Sequence, residues 1–236
     1  LPQCDEVENV FLSVYDTEKW KLWTDTSGKN DPPPDFFCDE LSLMMDVMRV
    51  DDHSFIGEKG KPVNPTLARE SIVAGELRDS GILDLFPNAA LYLNVDTKLP
   101  TEEDHNYKFY RDSFIRIVNA HKRKISNYQA NHPNHKTIFF VFDESSAYMQ
   151  VASKISQPEE GMITCGLPHL WFLDKAFLDV IKDSEIDYLF WYTPYKLIRT
   201  ENNDILGLPR AVVIKIDKLS VEQHEYNEIN MMSCEI

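Results

Sequence analysis

This chain of 236 residues carries 39 Asp and Glu against 24 Lys and Arg, for a formal charge of -15, and 43% of it is hydrophobic. That is enough chain to bury a substantial core in an ordinary globular composition, but the charge repels phosphate backbones and anionic membranes, so a polyanion partner needs a local basic patch. With only 8 glycines and neither GxGxxG nor GxxxxGK[ST], the glycine-rich phosphate loops are excluded.

The chain opens on Leu1 rather than Met and reads as trimmed, and LPQC with no apolar segment before it is a poor lipoprotein signal. Residues 8–26 alternate and carry aromatics (VFLSVYD, then WKLWTDT), which predicts an antiparallel hairpin with one wet face. Lys29 to Asp35 (KNDPPPD) is a breaker, because consecutive prolines enforce extended backbone; it reads as a surface connection. A strand is expected at about 41–51, then a helix from Pro65 to Ser80, with Leu67, Ile72, Val73, Ala74 and Leu77 on an imperfect apolar face and Gly81 as its stop.

A second strand, ALYLNVDT, follows at 90–97. The strongest helix spans about 102–131, where Tyr107, Tyr110, Phe114, Ile117, Val118, His121, Ile125 and Tyr128 recur at three- and four-residue steps. Thr101 is its expected N-cap, with Asp104 completing a capping box, and Pro133 closes it. IFFVF (138–142) lacks alternation and resembles a strand buried on both faces of a parallel sheet; it is also far too short to span a bilayer. A short helix at 175–184 and strands at 187–192 and 211–216 complete a core running from about 38 to 217. The alternation gives an α/β fold: a single domain with a mixed sheet and flanking helices. Cys4, Cys38, Cys165 and Cys234 form no CxxC pair and read as reduced thiols of a cytoplasmic protein.

Three apolar runs deliver acids at their exits: LSLMMDVMRVDDH (41–53), ALYLNVDTK (90–98) and TIFFVFDES (137–145). Strand exits of this kind line the ligand crevices of α/β sheets. Within the first run Asp46 and Asp52 share a face with Met44, Met48 and Val50. A carboxylate among apolar strand neighbours needs a partner: a cation, a hydrogen-bond network or a metal. Asp96 and Lys98 share a face two residues apart, which sets a carboxylate beside a cation. Asp143 leaves the most buried strand, and the following Glu144-Ser145-Ser146 lacks the glycines of a nucleophile elbow. Glu103, Asp104 and His105 open the long helix near the same edge.

Asp46, the Asp96-Thr97-Lys98 pattern and the helix followed by TIFFVF together resemble the PD-(D/E)xK nuclease core over about 41–143. The resemblance implies a restriction-endonuclease-like sheet in which Asp46 and Asp96 bind Mg²⁺ or Mn²⁺ and Lys98 assists hydrolysis, with Asp52 and Asp143 as further metal candidates. The chain departs from that pattern in two ways: 49 residues separate the two acids, and the second is Asp where Glu is commoner. The runs TEEDHNYKFYRDSF, FVFDESS and DYLFWYTPYK are similar to a family of uncharacterised bacterial proteins, a likeness that supplies no mechanism.

Between His105 and Lys136 seven basic residues face a single acid, Asp112, so this helix is the footing open to nucleic acid, densest at Lys122-Arg123-Lys124. The His132-Pro133-Asn134-His135 turn brings two imidazoles with no accompanying ligands and reads as surface. Two functions therefore stand: a metal-dependent phosphodiester hydrolase at an acidic sheet edge, or a non-catalytic interaction protein on the same scaffold, whose aromatic residues at strand exits suit a protein partner.

Overall fold

The computed structural model describes residues 5–28, 34–52, 55–56, 62–63, 65–85, 95, 105–151, 166–182, 184–194, 196–199 and 205–234. The expected strand at 90–97 (Val95 apart), the proposed cap Thr101, and Glu103 and Asp104 lie outside these residues.

The amino-terminal segment is helical, not a hairpin: α1 covers Asp5–Tyr15 and α2 covers Thr17–Trp20. Val10, Phe11 and Val14 fall at helical steps and pack on the sheet, and that burial overrides the strand propensity of the valines and aromatics. Asp16 separates the two helices, its carboxylate accepting from the backbone N–H groups of Glu18 and Lys19.

Next come β1 (Thr24–Asp25), β2 (Phe36–Cys38) and β3 (Leu43–Val50), then the small ribbon of β4 (Phe55–Ile56) and β5 (Pro62–Val63). Helix α3 (Pro65–Asp79) ends as the sequence predicts, with Gly81 at φ 74. Its expected apolar face is not fully buried, since Ile72 is half exposed.

The predicted long helix is two helices, α4 (Tyr107–Lys122) and α5 (Ile125–Asn131). Asn106, in extended conformation, caps α4 by accepting from Lys108 N–H, so this helix begins at Tyr107. The break falls on Arg123-Lys124, where Lys124 N–H turns back to the His121 carbonyl. The apolar stripe continues across it, and Ile125 and Tyr128 are buried.

The remaining elements are β6 (Lys136–Asp143), β7 (Tyr148–Gln150), β8 (Leu167–Pro168), α6 (Lys175–Lys182), β9 (Tyr188–Tyr192), β10 (Leu197–Arg199), β11 (Ile205–Gly207), β12 (Ala211–Lys215) and β13 (Met231–Ser233). Among the described residues six strands form the main sheet in the order β1-β2-β3-β6-β9-β12. The central pairs β3–β6 and β6–β9 are parallel, while β1–β2, β2–β3 and β9–β12 are antiparallel. This is the mixed α/β sheet the sequence predicts, with IFFVF in its buried parallel centre.

Both faces of the sheet are covered. On one, Met48, Val50, Phe139, Val141, Leu189 and Trp191 pack against Tyr110, Phe114 and Val118 of α4 and Phe177 and Ile181 of α6. The Phe114 and Phe177 rings stack 4.5 Å apart. On the other, Leu43, Met45, Ile138, Tyr188 and Phe190 meet Val10 and Phe11 of α1. Each fully buried large apolar side chain here contributes about 1.5–3 kcal/mol. No helix among the described residues is long and apolar enough to cross a membrane.

Candidate functional site

The face of the sheet that carries α4 holds two groups of buried acids. The first lies at mid-sheet. Asp46 sits in β3 between Met45 and Val47 and is only 2% exposed. Its Oδ2 accepts from the Tyr128 hydroxyl of α5 at 3.0 Å and also bonds Nδ1 of His121, from the last turn of α4. The stripe of α4 and α5 therefore answers the need of a carboxylate in an apolar strand: the helices supply an imidazole and a phenol where they cross it.

A second carboxylate joins this group. The β2–β3 register pairs Phe36 with Met45, so one step further Asp35 stands opposite Asp46. Its backbone is fixed by Thr26, whose N–H donates to the Asp35 carbonyl at 2.8 Å and whose hydroxyl donates to the Pro34 carbonyl at 2.6 Å. Asp35 Oδ2 accepts the Val47 N–H at 2.8 Å, and its carboxyl lies close enough to Asp46 to feel that charge. Burial first, and then the neighbouring Asp46 charge, raise the Asp35 carboxyl above the usual range, against the lowering effect of the Val47 N–H. The two acids on adjoining strands thus stand beside an imidazole that is one-fifth exposed and so within reach of solvent.

Immediately after His121 come Lys122, Arg123 and Lys124. At this junction of α4 and α5, Asn119, Lys122, Arg123, Ile125, Ser126 and Glu185 line an open cleft of about 550 Å³. Lys122 Nζ donates to the Val180 carbonyl at 3.2 Å, while Arg123 and Lys124 are exposed.

The second group lies at the carboxyl ends of the parallel strands. Asp143, at the end of β6, is fully buried; its Oδ2 accepts from Tyr110 at 2.7 Å, Trp191 Nε1 at 2.9 Å and Lys196 Nζ at 2.9 Å. Its Oδ1 accepts the N–H and hydroxyl of Ser145. Asp52, just past β3, takes the Tyr148 hydroxyl at 2.5 Å, the Ser146 N–H and hydroxyl, and His105 Nδ1 at 3.2 Å. Nearby, Asp174 accepts from Tyr107 at 2.5 Å and contacts Nε2 of the buried His169 at 2.8 Å. Burial lowers the His169 imidazole by more than Asp174 raises it. This is a dense buried network, and Asp143 alone engages five protein donors.

The predicted site residues thus fall in different places. Asp52 and Asp143 share the carboxyl edge. Asp46 shares their face, but its partner in β6 is Phe139, four residues before Asp143, or about 13 Å of strand away. Asp96 and Lys98 lie outside the described residues. The sequence reading passed over Asp35, inside the proline-rich breaker, and treated His121 and Tyr128 as members of an apolar stripe. The signal was present in the mismatch: a polar-tipped residue in a helix stripe and an acid in an apolar strand each lack a partner until they are paired. No protein-family model, curated protein or solved structure matches this chain.

Proposed function

We propose that this chain is a metal-dependent phosphodiester hydrolase of the nuclease-like kind, with the Asp35–Asp46 pair as part of its reaction centre. The observation that carries the reading is two acids placed opposite one another on neighbouring strands, one of them only 2% exposed. Like charges on adjoining strands are eased by a proton or a cation, and two hard oxygen donors suit Mg²⁺ or Mn²⁺. Such a cation, held by Asp35 and Asp46 with Asp96 as a further acid, would supply charge neutralisation and a polarised water. His121, bonded to Asp46, is the proton-transferring group, and Lys98 is the cation expected beside the reacting phosphate. The basic residues that follow His121 give an anionic substrate a footing that the rest of this acidic chain denies it.

A specific observation also favours the other reading, a non-catalytic interaction protein. His121 and Tyr128 already bond Asp46, and that satisfies a structural core acid. The two are separated by assaying cleavage of a generic phosphodiester and of single- and double-stranded oligonucleotides with Mg²⁺ or Mn²⁺, using wild type, Asp35→Asn and Asp46→Asn. Hydrolysis that requires the cation and disappears in both folded variants supports the enzyme. Its absence from the wild type on every substrate, or its persistence in Asp46→Asn, overturns it.

A further inference from the structure

We propose that Asp39, His132 and His135 form a second and separate cation site, one for a divalent transition metal of the Zn²⁺ class. The two imidazoles that the sequence offered without a third ligand gain one from 96 residues away: Asp39 Oδ1 lies 3.1 Å from His135 Nε2. One potential ligand atom from each of the three residues lies within 4.8 Å of the other two. In a tetrahedral site with bonds of about 2.0–2.1 Å the ligand atoms stand about 3.4 Å apart, so small side-chain rotations close the trio on an ion.

Backbone contacts hold the three residues together. Asp39 follows β2, His132 follows α5 and His135 immediately precedes β6, all at the amino-terminal edge of the parallel strands. The two loops are tied together, since Lys136 N–H donates to the Ser42 carbonyl at 2.9 Å and the Phe37 ring packs on the His132 ring at 4.2 Å. Between the histidines the chain makes a turn closed by His135 N–H on the His132 carbonyl, with Pro133 second and Asn134 third at φ 68, the left-handed conformation a type II turn requires there. This turn carries the two rings to a centroid separation of 5.3 Å.

The surroundings of the two rings suit ligation. His135 Nδ1 lies 3.4 Å from the Pro133 carbonyl, which can only accept. An imidazole supported at Nδ1 by that carbonyl presents Nε2 to the Asp39 carboxylate, the position from which it would also ligate an ion. A backbone carbonyl on the far nitrogen of a ligating imidazole is the usual outer support of a metal-bound histidine. Among the described residues, no hydrogen-bond partner meets the half-buried His132 ring. Two imidazoles and one carboxylate select Zn²⁺, Co²⁺, Ni²⁺ or Cu²⁺ over Mg²⁺. Three protein ligands leave coordination positions for water or a bound group.

The test is titration of the metal-free full chain with Zn²⁺ by calorimetry and with Co²⁺ by visible absorption, on wild type, His132→Ala, His135→Ala and Asp39→Asn. The expected result is one equivalent bound, with Co²⁺ bands of nitrogen and oxygen ligation and no thiolate charge-transfer band. Affinity should fall at least about 100-fold in each histidine variant and about 10-fold in Asp39→Asn, in line with the losses that ligand-shell changes cause. Should His132→Ala fail to fold because its ring packs on Phe37, His135→Ala and the exposed Asp39→Asn carry the decision. Undiminished binding in those variants, a thiolate band, or no saturation at millimolar Zn²⁺ overturns the site. Any Mg²⁺ response through Asp46 is read in the same variants and remains intact, so the two sites fail or stand independently.

Discussion

Asp35 and Asp46 stand opposite one another on β2 and β3, near enough that the charge of Asp46 raises the Asp35 carboxyl, and His121 and Tyr128 bond Asp46 from the helices above. A pair of this kind costs stability unless a proton or a cation sits with it. Asp35→Asn removes one charge while keeping an acceptor for the Val47 N–H. Because the folded Asp35 carboxyl is raised above its ordinary value of 3.8, its favourable contribution is complete below that value and is lost as pH rises through the folded pKa. Without divalent cations, Asp35→Asn should therefore gain on the wild type as pH rises through that region and match or exceed it at neutral pH. Urea denaturation across that range measures the difference.

The face of α4 gives a second prediction. Phe114 is fully buried between Phe177 and Trp191. Phe114→Ala should cost about 3–5 kcal/mol, the range for deleting a buried aromatic. Chemical denaturation checks this, and a loss below about 1 kcal/mol would mean that the helix does not seat this face on the sheet.

Much of this fold was legible in the sequence because burial on both faces leaves an unbroken apolar run. IFFVF therefore reads directly as a strand of a parallel centre, and DYLFWY as a further strand of the core. Residues 8–26 misled because valine, phenylalanine and tryptophan satisfy strand propensity and helical spacing equally well over so short a span, and only the sheet beneath α1 decides between them. The site was half legible. Asp46 announced itself as an acid among methionines, whereas its partners come from 75 and 82 residues away, separations that no local pattern encodes.

The buried ion pair of Lys196 with Asp143 yields a third expectation. Lys196 is 5% exposed and Asp143 fully buried. Lys196→Met should destabilise by about 3–5 kcal/mol, because it leaves a buried carboxylate without its counter-charge. Pairing it with Asp143→Asn in a double-mutant cycle should recover part of that loss. Additive effects would show that the two groups are not coupled.

Glu6 gives a fourth. From α1 it accepts Lys136 Nζ at 2.5 Å, Lys215 Nζ at 2.7 Å and the Tyr188 hydroxyl at 2.5 Å, fastening the helix to three strands. The hydrogen bond from Lys136, followed by those from Lys215 and Tyr188, lowers its carboxyl from 4.5 to about 2. A depressed carboxylate contributes stability that is present above its unfolded pKa and lost as pH falls through the folded one. The melting advantage of wild type over Glu6→Gln should thus hold above pH 4.5 and shrink between pH 4.5 and about 2. A difference independent of pH would count against this tether.

The most direct measurement is calorimetric titration of the wild type and of Asp46→Asn with Mg²⁺ and with Mn²⁺, alongside melting curves at each concentration. A cation held by Asp35 and Asp46 binds the folded state alone and so raises the melting temperature as its concentration exceeds the dissociation constant. Saturable binding and a rising melting temperature in the wild type, with both absent from a folded Asp46→Asn, are the predicted result. No binding at millimolar cation, or binding and a melting shift that survive unchanged in Asp46→Asn, would contradict it.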